Sequence, residues 1–244
     1  MTRPKFQITS AGLHLLAMAL MLCDHLWGTL VPGNDWLTCL GRLAFPIFAF
    51  LLVEGYFHTR SLRRYAGRLL LFAILSEIPF NLALGSRIFY PIHQNVLWSF
   101  LLSLGLIHWN HKNRDKAPLR RVLVAAASVL IGTLVGLITF VDYYHAGVLT
   151  VLIFYFFRRR DWLGFAGQLI GLWYVNMELL GGFGYQVTLL GRKFFLMRQG
   201  LALLALIPIW LYRGQPGCRT RGFRAFCYLF YPVHLLILGL LKLL

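Results

Sequence analysis

Nine stretches of this chain are too apolar to be left in water: residues 11–31, 37–57, 66–84, 94–109, 121–140, 146–157, 162–180, 200–212 and 223–241. Irregular backbone cannot face hydrocarbon, because its N–H and C=O groups would go unpaired, and a helix needs about 20 residues to cross about 30 Å. The pattern predicts an all-α, polytopic membrane bundle of about nine transmembrane helices. The sixth and eighth runs are short enough to be re-entrant. With 59% hydrophobic and only 13% charged residues, the composition excludes a soluble fold. The runs extend along the whole chain, so residues 1–244 read as a single membrane domain without a Pro- or Ser-rich linker or an internal repeat. Run one carries Asp24-His25 and lacks a small-residue cleavage site, which marks it as a retained helix.

The charge is strongly basic, with 24 Lys and Arg against 8 Asp and Glu, a formal +16. In a soluble chain this balance would suggest nucleic acid. Here the basic residues sort by segment, which points to the lipid bilayer as the partner and away from nucleic acid. Alternate segments hold Arg3 and Lys5, then Arg60, Arg63, Arg64 and Arg68, then Lys112, Arg114, Lys116, Arg120 and Arg121, then Arg158, Arg159 and Arg160, then Arg213, Arg219, Arg221 and Arg224. The segments between them hold Arg87, Arg192, Lys193, Arg198 and Lys242, with Arg42 left near the start of run two. By the positive-inside rule the amino terminus is expected in the cytoplasm and the carboxyl terminus outside. The four cysteines form no Cys-x-x-Cys and no Cys/His ligand spacing, so no metal is expected.

A charge at membrane depth costs at least about 2.5–3.5 kcal/mol, so each needs a partner or a task. On this topology the outer half collects Asp24, His25, Arg42, Glu77, Asn176 and Glu178, and the adjoining edges add His93, Gln94, Asn95, Asp142, His145 and Arg198. Together they could ring one polar cavity, or form structural pairs such as Asp24 with Arg42. Adjacent helix residues point about 100° apart, so another helix must orient His25. A carboxylate such as Glu77 could hold one ring nitrogen and leave the other as a general base. On the opposite side Glu54 and His58 stand four apart on one helix face, just before Arg63 and Arg64. They suggest a basic mouth for a phosphorylated substrate, or lipid headgroup contacts. Near the end, Pro232 lies between Tyr231 and His234 and can expose a backbone carbonyl to a ligand.

The run Gly41-Arg42-Leu43-Ala44-Phe45-Pro46-Ile47-Phe48-Ala49-Phe50-Leu51-Leu52-Val53-Glu54-Gly55-Tyr56-Phe57-His58-Thr59-Arg60 resembles the signature of the TraX family, membrane proteins associated with acetylation of pilin amino termini. Asp24-His25, Arg64-Tyr65, Ser76-Glu77-Ile78-Pro79-Phe80-Asn81, Gln94-Asn95-Val96, Asp142-Tyr143 and Tyr231-Pro232-x-His234 resemble it too, so the likeness covers nearly the entire chain. A more distant similarity to multi-span membrane acyltransferases rests on a histidine in helix one and the Tyr-x-x-His ending. The resemblance implies an acyltransferase of the bacterial cytoplasmic membrane. It would move an acyl group, expected to be acetyl, from acyl-CoA to an envelope acceptor such as a pilin, a glycan or a lipid. His25 would be the base, Asp24 would pair with Arg42, and Arg42, Asn95 or His234 would stabilise the oxyanion. Glu77 joins this catalytic set, while Glu54, His58, Arg63, Arg64, His93, Gln94, Asn95, Asp142 and Tyr231 are expected to bind donor or acceptor. A transporter or flippase, or a non-catalytic assembly factor for pili, would use the same polar residues otherwise.

Overall fold

The computed structural model describes residues 7–189, 191–218 and 220–244. Arg3, Lys5 and Arg219 of the basic count lie outside the described residues. Every apolar run is helical: α1 Ser10–Thr29, α2 Asp35–Gly41 with α3 Ala44–His58, α4 Leu62–Gly85, α5 Val96–Lys112, α6 Pro118–Ile138, α7 Tyr144–Phe156, α8 Trp162–Trp173 continued by a π-helical segment Tyr174–Leu180, a 3-10 segment Arg198–Ala205 leading into α9 Leu206–Leu211, and α10 Arg221–Lys242. Short polar residues start many of them. Thr9, Ser61, Asn95, Asp161 and Thr220 each accept an N–H of the first turn that would otherwise be orphaned in apolar surroundings.

Five of these helical units, including α2 and α3 taken together, are long and apolar enough to cross a membrane among the described residues. The protein is thus a multi-pass membrane protein. The unit Asp35–His58 is its centre, with 67% of its most apolar window buried, whereas Pro118–Ile138 is 22% buried and forms a rim suited to lipid. Phe45, Ile47, Phe50 and Val53 of α3 anchor the main core with Leu13, Ala17, Leu104 and Phe154. At Gly136 of α6 an added Cβ would come within 2.8 Å of the His145 backbone of α7, so only glycine permits this close approach in lipid.

Two features depart from nine continuous spans. Run two breaks at Arg42-Leu43, because Pro46 lacks an N–H and its ring would clash with the carbonyl one turn back, at Arg42. The segment after run seven folds into an antiparallel hairpin, β1 Gly184–Leu189 and β2 Arg192–Met197, which the all-α expectation did not include. Gly191, at φ +75°, makes its turn.

Contacts between connections sort them onto two ends. Ile8 bridges Tyr212, and Arg158 reaches Glu54 at 2.8 Å, on the Arg-rich end. Gln94 bridges Val141, and Tyr185 of the hairpin donates to Asp35 at 3.0 Å, on the other.

Candidate functional site

Asp24 and His25 leave α1 in different directions and find different partners. Asp24 accepts from the Thr38 hydroxyl at 2.7 Å and forms an ion pair with Arg42 at the α2–α3 break. Gly41 makes room for this carboxylate, since a Cβ there would lie 2.6 Å from Asp24 Oδ1. Arg42 also donates to the Thr38 carbonyl and to Gln199, and Gln199 donates to Asn176 in the π-helical segment at 3.0 Å. The pair is therefore tied into a polar network that crosses four elements.

His25 points to α10. Its Nδ1 lies 2.7 Å from His234 Nε2, and His234 Nδ1 lies 2.6 Å from the Phe230 carbonyl. A carbonyl only accepts, so with neutral rings His234 Nδ1 carries the proton and His234 Nε2 is the acceptor. His25 Nδ1 is then the donor, which leaves its Nε2 lone pair uncommitted. The ring planes are 8° apart with centroids at 5.0 Å, the geometry of two imidazoles joined end to end. Tyr231 stands beside both, with its ring centroid 6.4 Å from that of His25 and 5.9 Å from that of His234.

This overturns the expected His25–Glu77 partnership. Glu77 instead accepts from Trp98 Nε1 at 2.6 Å and from Asn95 Nδ2, clamping the start of α5 to α4. Asn95 spends its other amide hydrogen on the Ala73 carbonyl and caps α5 through Leu97 N–H, so it has no donor left for an oxyanion. Its role is to cap. Gln94 acts through its backbone, which pairs with Phe140 and Asp142, while its side chain donates to Pro91. Glu178 is exposed.

At the connections, His93 Nε2 lies 3.4 Å from Asp142 Oδ1, and this hydrogen bond, with the nearby charge of Glu77, holds the His93 pKa above its usual value despite partial burial. Arg198 sits 4.9 Å above the Trp27 ring. Ser76 Oγ, Asn81 Oδ1 and His145 Nδ1 are buried without a hydrogen-bond partner among the described residues.

A cavity of about 1130 Å³ opens on the Arg-rich end. Its mouth is lined by Glu54, His58, Arg60, Arg64, Arg68, Arg221 and Arg224, and its inner end by Met21, Val96, Phe230 and Tyr231. Met21 lies one turn before His25, and the Phe230 ring stacks on His234 at 4.7 Å. The inner end therefore stops one helical turn short of the histidine pair. Arg64 lines the mouth; Arg63 is exposed and does not line it. Glu54 and His58 make the contact that their spacing suggested, at 3.9 Å, but the closer partner of Glu54 is Arg158. Thr38 and Gln199 are site neighbours that the sequence did not single out, while Tyr143, part of the Asp142-Tyr143 piece of the family resemblance, stacks on Phe45 at 4.2 Å.

The model of the TraX protein family matches residues 10–242, which include the histidine pair, the Arg42 network and the cavity mouth. The chain belongs to the TraX family. This TraX protein is also 30% identical over 246 residues to a protein of Dichelobacter nodosus named "Probable fimbrial assembly protein FimC, serogroup H1", with 93% of this chain and 92% of the relative covered. No solved structure matches it.

Proposed function

We propose that this TraX protein is an acyltransferase of the bacterial cytoplasmic membrane that moves an acetyl group from acetyl-CoA to an envelope acceptor such as a pilin amino terminus. The observation that carries the reading is the His25–His234 pair one helical turn beyond the inner end of a cavity whose mouth is rich in arginine. A thioester donor with phosphates would enter from the cytoplasm past Arg60, Arg64 and Arg68, which suit phosphate as charge-assisted donors. The acceptor would approach from the opposite end.

His25 Nε2 takes the proton of the acceptor amine or hydroxyl as that group attacks the thioester carbonyl carbon. The new C–N or C–O bond forms, the C–S bond breaks, and the leaving thiolate collects the proton from His25. His234, held by the Phe230 carbonyl, fixes the His25 tautomer and stabilises the imidazolium. Tyr231, whose ring stands 6.4 Å from His25, would offer its phenol proton to the oxyanion. The name of the Dichelobacter nodosus relative supports a fimbrial or pilus subunit as one acceptor.

Mass spectrometry of envelope proteins and glycans, from cells with the chain, without it, and with His25→Ala, tests this. The expected result is an acetylated species that needs the chain and falls about 10²–10⁴-fold in the variant while the protein stays in the membrane. An identical envelope in all three cells would overturn the reading in favour of a non-catalytic assembly role.

A further inference from the structure

Beside the mouth, between α3 and the end of α5, lies a second pocket of about 230 Å³ that the mechanism above does not use. Tyr56, Phe57, Thr59, Arg60, His108 and His111 line it. The His111 ring lies 5.5 Å from both the Tyr56 and the Phe57 rings, and Tyr56 Oη meets His108 Nδ1 at 3.2 Å. Cations surround these rings. Arg158 sits 4.1 Å above Phe57, and Arg114 donates to His111 Nε2 at 2.6 Å. The nearby carboxylates Glu54 and Asp115 are already engaged by Arg158 and Arg114. Aromatic faces beside guanidinium groups are the surroundings in which a planar base joined to phosphate is held, the base by stacking and the phosphate by charge.

Thr59 and Arg60 line this pocket and the large cavity alike, so the two meet at Arg60. A ligand whose base rests against Tyr56 and His111 would place its phosphates at Arg60 and send the rest of the molecule down the cavity. The cavity runs along α10 from Arg221 to Tyr231, about 15 Å at the helical rise of 1.5 Å per residue. Only a donor with a long arm between phosphate and thioester uses both ends.

We infer that the small pocket is the subsite for the adenine base of the nucleotide-bearing donor, with Arg60 as the phosphate ligand at the junction. The inference rests on the acyltransferase reading, but its test needs no acyl transfer. The detergent-purified full chain is irradiated with azido-adenosine 3′,5′-bisphosphate and the labelled peptides are mapped. Label is expected within 56–60 or 108–114, competed by unlabelled adenosine 3′,5′-bisphosphate and unchanged in His25→Ala. In His111→Ala the competitor should bind about tenfold more weakly. Arg60→Ala, at an exposed position that the fold does not depend on, should weaken it similarly and flatten its salt dependence. Label confined to the cavity walls near Phe72 and Tyr228, label that the competitor does not displace, or equal affinity in both variants would overturn the subsite. A chain that labels as expected yet leaves every envelope unmodified would keep the subsite and remove the acyltransferase reading. Acyl transfer without label here would do the reverse.

Discussion

Asp24 and His25 are consecutive, yet one faces α2 and the other α10, since each helical residue turns the side chain by about 100°. That division separates a structural unit from a reactive one, and the two should respond differently to mutation. Asp24→Asn leaves the largely enclosed Arg42 guanidinium without its counter-charge, which should cost about 3 kcal/mol and lower the melting temperature in detergent. The double variant Asp24→Asn/Arg42→Met removes both charges and should recover most of that loss. No recovery would show that Arg42 is held by Gln199 and Thr38 independently of Asp24. His234→Ala should barely move the melting temperature but should reduce acetyl transfer, because His25 Nδ1 then has no fixed acceptor; His234→Gln, whose amide oxygen can accept, should retain more transfer than Ala. Equal transfer in the wild type and both variants would remove His234 from the relay. The sequence identified these polar residues, because a charge or imidazole in an apolar run stands out. It named the Asp24–Arg42 pair but not the partner of His25. Whether His25 meets Glu77 or His234 depends on how α1, α4 and α10 are rotated about their axes, and helices that are apolar nearly all round carry little information about rotation.

Hydropathy located every helical run, because in lipid the demand for paired backbone groups leaves no other choice for long apolar stretches. The break at Arg42-Leu43 was legible in principle from Pro46, but the apolar run continues across it and hides the interruption. The hairpin was masked differently: Tyr185 and Val187 alternate with Gly184, Gln186 and Thr188, but Phe194-Phe195-Leu196 after Gly191 does not alternate, and the stretch lies between two apolar runs where a plain connection is the simpler reading. The same scale carries a pH dependence. His93 and Asp142 join the α4–α5 and α6–α7 connections, outside the spanning helices, and Asp142 raises the His93 pKa above 6.5. A group whose folded pKa is raised contributes stability that is fully present below its unfolded value and is lost as pH rises through the folded value. The melting temperature in detergent should therefore fall as pH rises from about 6 through the neutral range, and Asp142→Asn should flatten that slope. A slope that survives in the variant would place the titration elsewhere.

At the scale of the whole molecule, three linked observations bear on orientation. The basic residues crowd alternate connections, those connections meet one another at one end of the bundle, and the large cavity opens at that end among Arg60, Arg64, Arg68, Arg221 and Arg224. By the positive-inside rule we propose that this end faces the cytoplasm, where a nucleotide thioester would be available. We propose that nine alternating helical runs carry the chain from a cytoplasmic amino terminus to a carboxyl terminus outside, although five helical units among the described residues are long enough to cross unaided and α5, α7 and α9 are shorter than a full lipid-facing span. Short helices can cross where neighbours cover them, and α7 fits that condition, with Val148, Val151, Leu152 and Phe154 buried. A reporter active only in the cytoplasm, fused after Leu244, should be silent, and the same reporter placed after Lys112 should be active. Activity at Leu244 would mean that one short helix turns back without crossing. The basic residues downstream of that helix would then lie outside, and the cavity mouth, built from both halves of the chain, could not open wholly to the cytoplasm.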